Sequence, residues 1–167
     1  AGILLNGNTR ISGTLSELKL IDGQTVTNTG TINYTGLADI RLANNAQIII
    51  DTSAAFNLQT DADIAKDFGA PSGGSITNNG MFSKNNSPGT TTIEADFQNN
   101  GTLEIQSGTL NFNQILVNAV DGTLQGSAIL NITNAVFNNN GNINPGTSPG
   151  ILTIGGDYSQ GATSTLN

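Results

Sequence analysis

The stretch NNGMFSKNNSPGTTTIEADFQNNGTLEIQSGTLNF, residues 78–112, decides the fold. Asn-Asn-Gly opens it at 78–80 and returns at 99–101, each time followed by one residue and then an apolar one, Phe82 and Leu103. The phrase recurs, whole or worn, as NTGTI (28–32), NNGNI (139–143), SGTL (12–15), DGTL (121–124) and, with Ala for Gly, SAAF (53–56). Its anchors are Gly13, Gly30, Ala54, Gly80, Gly101, Gly122 and Gly141, with a slipped copy near Gly161. They stand about 20 residues apart, a period that belongs to β-solenoids rather than to longer helical repeats.

Stacking the copies gives each column one chemical character. Two residues after the anchor come Leu15, Ile32, Phe56, Phe82, Leu103, Leu124 and Ile143, all apolar. One residue further come Ser16, Asn33, Asn57, Ser83, Glu104, Gln125 and Asn144, all polar. This is the period-two alternation of a strand with one buried face. A second apolar column lies four residues before the anchor, at Val26, Ile50, Ile76, Phe97 and Phe137, and is broken at Asn118. A third strand alternates through TTTI (90–93), TLNF (109–112), ILNI (129–132) and ILTI (151–154). Its inward pairs are Leu110 and Phe112, Leu130 and Ile132, and Leu152 and Ile154. Three such columns predict an all-β chain: a parallel β-helix solenoid with three strands per coil and about 20 residues per coil.

The turns agree. Asn28, Asn78, Asn99 and Asn139 stand two residues before their anchors. Asn bonds its own backbone and tolerates left-handed angles, and stacked Asn side chains form hydrogen-bonded ladders between parallel strands. These four are therefore expected to be a structural ladder. The five phenylalanines Phe56, Phe82, Phe97, Phe112 and Phe137 fall in inward columns and are expected in the core, whereas Tyr34 reads as part core, part surface.

One segment departs from the pattern. QTDADIAKDFGAPSGG, residues 59–74, lengthens the turn between the Ala54 and Gly80 copies and reads as a surface loop inserted into a single solenoid domain spanning 1–167. Within it, 62–68 has helical character with Asp61 as N-cap. Solenoids usually carry binding function on such loops.

Composition narrows the function classes. There is no Cys and no His, which excludes thiolate chemistry, zinc-finger layouts and a Ser-His-Asp triad. The net charge of −7, with Arg10, Lys19, Arg41, Lys66 and Lys84 scattered singly, excludes the basic patch that nucleic acid requires. No apolar run approaches the roughly 20 residues of a membrane span, and no signal segment opens the chain. Asp61, Asp63 and Asp67 are the candidate calcium ligands, since calcium takes oxygen donors. The twelve-residue loop with its closing Glu is lacking, however, and GGD at 155–157 occurs once only. Capping and solubility account for these carboxylates, so no metal and no cofactor is expected. Arg10, Arg41 and Lys84 fall on distant copies, while Glu94, Asp96 and Glu104 lack a basic partner. No catalytic residues are therefore expected. The mixed outward columns oppose ice binding, and the sequons at Asn33, Asn85, Asn100 and Asn131 follow from composition.

Two passages resemble a known kind of repeat. TVTNTGTINYTG (25–36), continued through the stretch quoted first, and GNINPGTSPGILTIGGDYSQGATSTLN (141–167) are similar to the β-helical parts of very large secreted bacterial proteins. These include adhesins and autotransporter passengers, and PGTSPGILTIGGDYSQ (145–160) is similar to the phrase that often precedes their membrane barrel. The resemblance implies a right-handed coil and a place outside the cell, at a bacterial surface. It implies a non-catalytic structural or adhesive scaffold segment. The alternative is a module that binds a glycan or a surface through loop 59–74 or an outer face, and a polysaccharide-active enzyme comes third. The strand-like stop at Thr-Leu-Asn (165–167) and the apolar start at 2–5 lead to two expectations, a fragment of a longer chain and end-to-end self-association. A cell-surface glycan or protein is the other partner expected.

Overall fold

A computed structural model of the chain describes residues 2–17, 19–146 and 150–167. Thr147, Ser148 and Pro149, inside the phrase 145–160, lie outside the described residues. The chain coils as a β-solenoid of about 7 turns, about 22 residues each, with no helix among the described residues. Strands from successive coils stack into three parallel sheets.

The first sheet runs through Gly2–Leu5, Thr25–Asn28, Ala46–Ile50, Gly74–Asn78, Asp96–Asn99, Ile115–Asn118 and Val136–Asn139. The second runs through Asn8–Ile11, Thr31–Tyr34, Ala55–Leu58, Met81–Lys84, Thr102–Ile105, Thr123–Gly126, Asn142–Pro145 and Thr165–Leu166. The third runs through Lys19–Asp22, Ile40–Ala43, Ile64–Lys66, Thr90–Ile93, Thr109–Phe112, Ile129–Asn131 and Thr153–Gly155. These strands are three to five residues long apart from the two-residue Thr165–Leu166. Each supplies three inward side chains at most, as Ala46–Ile50 does, so the core is built from stacked columns rather than from any one strand.

The second sheet aligns Ile32, Phe56, Phe82, Leu103, Leu124 and Ile143, as the repeat predicts. All are buried. Phe56 stacks on Phe82 at 5.2 Å between ring centres, and Phe82–Phe97 and Phe97–Phe112 meet edge to face at 5.1 and 5.4 Å. Pairs of this geometry contribute about 0.5–1.5 kcal/mol beyond area burial. The glycine anchors are needed for close approach: a Cβ on Gly101 would stand 2.2 Å from the Gly80 carbonyl oxygen.

Several expectations are corrected. Leu15 is 80% exposed, and the first coil's member of its column is Thr9, opposite Ile32. The true first anchor is Gly7, whose carbonyl accepts from Thr31 N–H. Gly13 lies too close to Gly30 in sequence to complete a coil. In the first sheet Ile48, not Ile50, stands between Val26 and Ile76. The break at Asn118 vanishes, because Leu116 fills that column beside Phe97 and Phe137. Both slips have one cause. The first corner takes two residues after Asn78 and Asn99 but four after Ile50 and Asn118, so counting back from the anchor lands two residues late. In the third sheet Ile154, not Leu152, pairs with Leu130.

The expected helix at 62–68 is absent. Ile64–Lys66 is a strand of the third sheet, with Ile64 fully buried between Ile40 and Ile93. Stacking on both neighbours overrides a helical propensity that is weak over so few residues. The insertion therefore projects only at 67–73, after the strand, and Asp61 caps no helix. Tyr34 is wholly buried rather than part surface, its hydroxyl donating to the Ala38 carbonyl. Burial, and then the nearby carboxylates of Asp39 and Asp63, push its phenol well above the usual range.

Candidate functional site

Three polar arrangements depart from a plain apolar coil. The first is the asparagine row. Asn78 Nδ2 donates to Asn99 Oδ1, Asn99 to Asn118 and Asn118 to Asn139, each at 2.8 Å. The second amide hydrogens of Asn78, Asn99 and Asn118 go to the carbonyls of Thr102, Thr123 and Asn142. The row is fully buried and seals the first corner. Asn118, read from the sequence as a defect, is one of its members. Asn28 occupies the same column but is cut off by Ile50, and it donates instead to the Ala55 carbonyl at 2.9 Å. Facing Ile50 from the other side, Asn78 Oδ1 is buried without a hydrogen-bond partner.

The second arrangement surrounds Lys84, one of the five singly scattered cations. Its column runs Tyr34, Leu58, Lys84, Ile105, so the side chain points inward and is 0% exposed. Its ammonium lies 2.8 Å from Ser87 Oγ, 3.1 Å from Thr91 Oγ1 and Asp61 Oδ1, and 3.3 Å from the Thr60 carbonyl. Both hydroxyls in turn donate to that same carbonyl, at 3.0 and 2.9 Å. A buried ammonium is tolerable only when so surrounded. The arrangement pins the turn 59–63 and engages Asp61, one of the three candidate calcium ligands.

The third lies where the third sheet turns into the first. Gln47, Ser75 and Asp96 each precede the inward column of the first sheet and align across three coils. With Gln114 of the next coil they floor a groove of about 400 Å³. Its wall is the projecting loop, through Ser72 and Gly73, with Gly74 at the start of the next strand, and Lys66 and Glu94 close its far side. Glu94 is held by Lys66 N–H at 3.1 Å and Asp96 by Ile115 N–H at 3.3 Å. The groove is polar, open and long in the direction of the coil axis. Its floor residues are one to a coil, and a polar column just before an apolar one is the signal that finds them.

Beyond Lys66 and Glu94, Asp39 and Asp63 stand one coil apart. Asp39 accepts from Asp63 N–H at 3.0 Å and pairs with Arg41 at 2.8 Å. Asp63 accepts from Thr92 N–H at 2.6 Å. Burial raises the Asp63 carboxyl, the Thr92 N–H opposes this, and the Asp39 and Glu94 charges add to the rise. Asp67 lies past the strand, beside Phe68. Asp61 and Asp63 thus have separate engagements, and Asp67 stands apart from both. Among the described residues no group of three His, Cys, Asp or Glu side chains could hold a metal ion.

No family model, curated protein or solved structure matches this chain.

Proposed function

We propose that this chain is a non-catalytic scaffold segment of an extracellular bacterial surface protein. The observation that carries this reading is the uninterrupted interior: aromatic and aliphatic columns, the asparagine row and the Lys84 cluster fill it from coil to coil. Outward side chains also bond along the axis, Asn57 to Asn33, Ser83 to Asn57 and Gln125 to Glu104. Such a coil gives length and resistance to proteolysis, and edge strands can accept further coils of a longer chain or a second molecule end to end. The resemblance to adhesin and autotransporter-passenger repeats supports the extracellular placement. Incubation with proteinase K tests the mechanical part. Among the described residues cutting should be confined to 12–17 and 67–73, with the coils surviving, and rapid fragmentation across the strands would sink the proposal. Protease shaving of intact source cells tests the location.

A second reading is favoured by the groove at the third corner. Its volume lies within the roughly 300–1,000 Å³ of ligand sites, and its amides, hydroxyls and carboxylates repeat at the coil rise of about 4.8 Å. That suits an extended, hydroxyl-rich glycan laid along the axis. A glycan array, with Gln47→Ala and Asp96→Asn as controls, checks it: hits that survive both substitutions would remove the groove from the account.

A further inference from the structure

The corner leading from the second sheet into the third carries a feature that the polar groove does not use. Phe68 is 84% exposed, Leu15 80% and Leu37 60%. They come from three different turns yet line one cleft, together with Glu17, Asp39 and Arg41. Phe68 is reached because the projecting loop folds back over the sheet, its ring 4.2 Å from the Arg41 guanidinium carbon. Single exposed apolar residues are ordinary, but a contiguous patch rimmed by polar groups marks an interaction surface. The cleft measures about 220 Å³. That is below the roughly 300–1,000 Å³ of small-molecule sites, and it suits one inserted side chain.

The rim selects the partner. Glu17, Asp39, Asp61, Asp63 and Asp67 line this cleft and the two beside it. Arg41 and Lys66 are the cations lining the same three among the described residues; Arg41 is paired with Asp39 and Asp61 with the buried Lys84, which leaves Glu17, Asp63 and Asp67 as the rim's acidic excess. Asp63, one coil from Asp39, accepts from Thr92 N–H and adds its carboxylate to this side of the rim. A second copy, at −7 overall and with the same rim, would bring like charge to like. Leu15 and Leu37 offer aliphatic rather than hydroxyl-matching contacts, which favours a peptide over a sugar. We infer that the cleft of Leu15, Leu37 and Phe68 docks a cationic peptide segment that inserts one large apolar side chain between Lys or Arg residues. The apolar anchor supplies affinity and the acidic rim supplies orientation and rate.

Fluorescence anisotropy on the intact chain tests this with three labelled peptides, KKLKFKK, KKSKSKK and EELEFEE. The first should bind, and should weaken about tenfold or more as salt rises from about 50 to about 500 mM, since the rim charges are exposed to screening. Phe68→Ser and Leu37→Ser should each weaken it about tenfold, the usual scale for an anchor contact. Val136→Ser, equally exposed but on the first sheet, should leave it unchanged. Because these side chains lie in solvent, circular dichroism of each variant should match the parent. Asp96→Asn, in the polar groove, should not alter peptide binding, which separates this proposal from the glycan reading. Equal binding of KKSKSKK would mean charge alone; equal binding of EELEFEE would remove the rim's role. Either result, no binding of KKLKFKK, or concentration-dependent dimers abolished by Phe68→Ser, would overturn the inference.

Discussion

Ile50→Asn should repair the asparagine row at almost no cost in stability, although it places an amide in the core. Ile50 is fully buried in the column between Asn28 and Asn78. Losing a buried isoleucine side chain costs about 1.5–3 kcal/mol, and an unsatisfied buried amide would add about 1–3 kcal/mol. Here the amide meets partners on both sides. Its Nδ2 faces the orphan Asn78 Oδ1 and, following the pattern of the row, the Met81 carbonyl. Its Oδ1 faces Asn28 Nδ2, which keeps its other hydrogen for the Ala55 carbonyl. Three hydrogen bonds at about 0.5–1.5 kcal/mol each offset the lost burial, leaving a net change within about 1 kcal/mol. Ile48→Asn, two residues away and flanked by Val26 and Ile76, has no such partners, and should cost at least about 3 kcal/mol. Urea denaturation followed by circular dichroism measures both, and slow side-chain amide exchange in NMR would mark the completed row. If the two substitutions cost the same within error, the row does not stabilise the coil as described.

Three further outcomes follow from the same geometry. Lys84→Met should cost less than about 1.5 kcal/mol, because Ser87 and Thr91 still donate to Thr60 and the 43%-exposed side chain of Asp61 turns to water. Lys84→Ala, which leaves a cavity, should cost about 2–5 kcal/mol, and thermal melts finding the two alike would count against the cluster's logic. Asp63 is raised above 3.8 by folding, so its contribution favours the fold below that pH and is lost as pH rises through the folded value. Asp63→Asn should flatten that loss and stabilise the chain at neutral pH, as melting temperature against pH will show. Leu103→Asp should unfold the coil locally, a buried unpaired charge costing several kcal/mol, whereas outward Glu104→Ala should cost under about 0.5 kcal/mol; equal sensitivity in hydrogen exchange would contradict the register.

The columns of the second sheet were legible because each anchor directly precedes its strand whatever the length of the corner, so a fixed offset from Gly30, Gly80, Gly101 and Gly141 finds Ile32, Phe82, Leu103 and Ile143. Where a corner gains two residues the offset fails, and Asn118 and Ile50 were misplaced for that reason alone. Ile64 was misread because three residues cannot display a period; only its neighbours Ile40 and Ile93, a coil away on each side, make it a strand. The burial of Lys84 had no signal in the sequence, where charge ordinarily means surface: the oxygens that neutralise it come from Thr60 and Asp61 on one coil and Ser87 and Thr91 on the next. The groove and the apolar cleft are likewise assembled across coils, from residues that no local pattern brings together.

The asparagine row also has a sense of direction. Every amide from Asn78 to Asn139 donates toward the later coil; Asn139 donates on to the Tyr158 hydroxyl, Tyr158 to Gln160, and Gln160 to the Ser164 carbonyl. The relay has one reading direction, with a bare acceptor at its head and a backbone carbonyl at its tail. This sets a grammar for rearrangement of the gene. Excising or duplicating a whole coil, cut between one Asn and the next, rejoins donor to acceptor and leaves the relay intact. Substituting Asp at any link sets a buried carboxylate where a donor should be, breaking the sentence at that word.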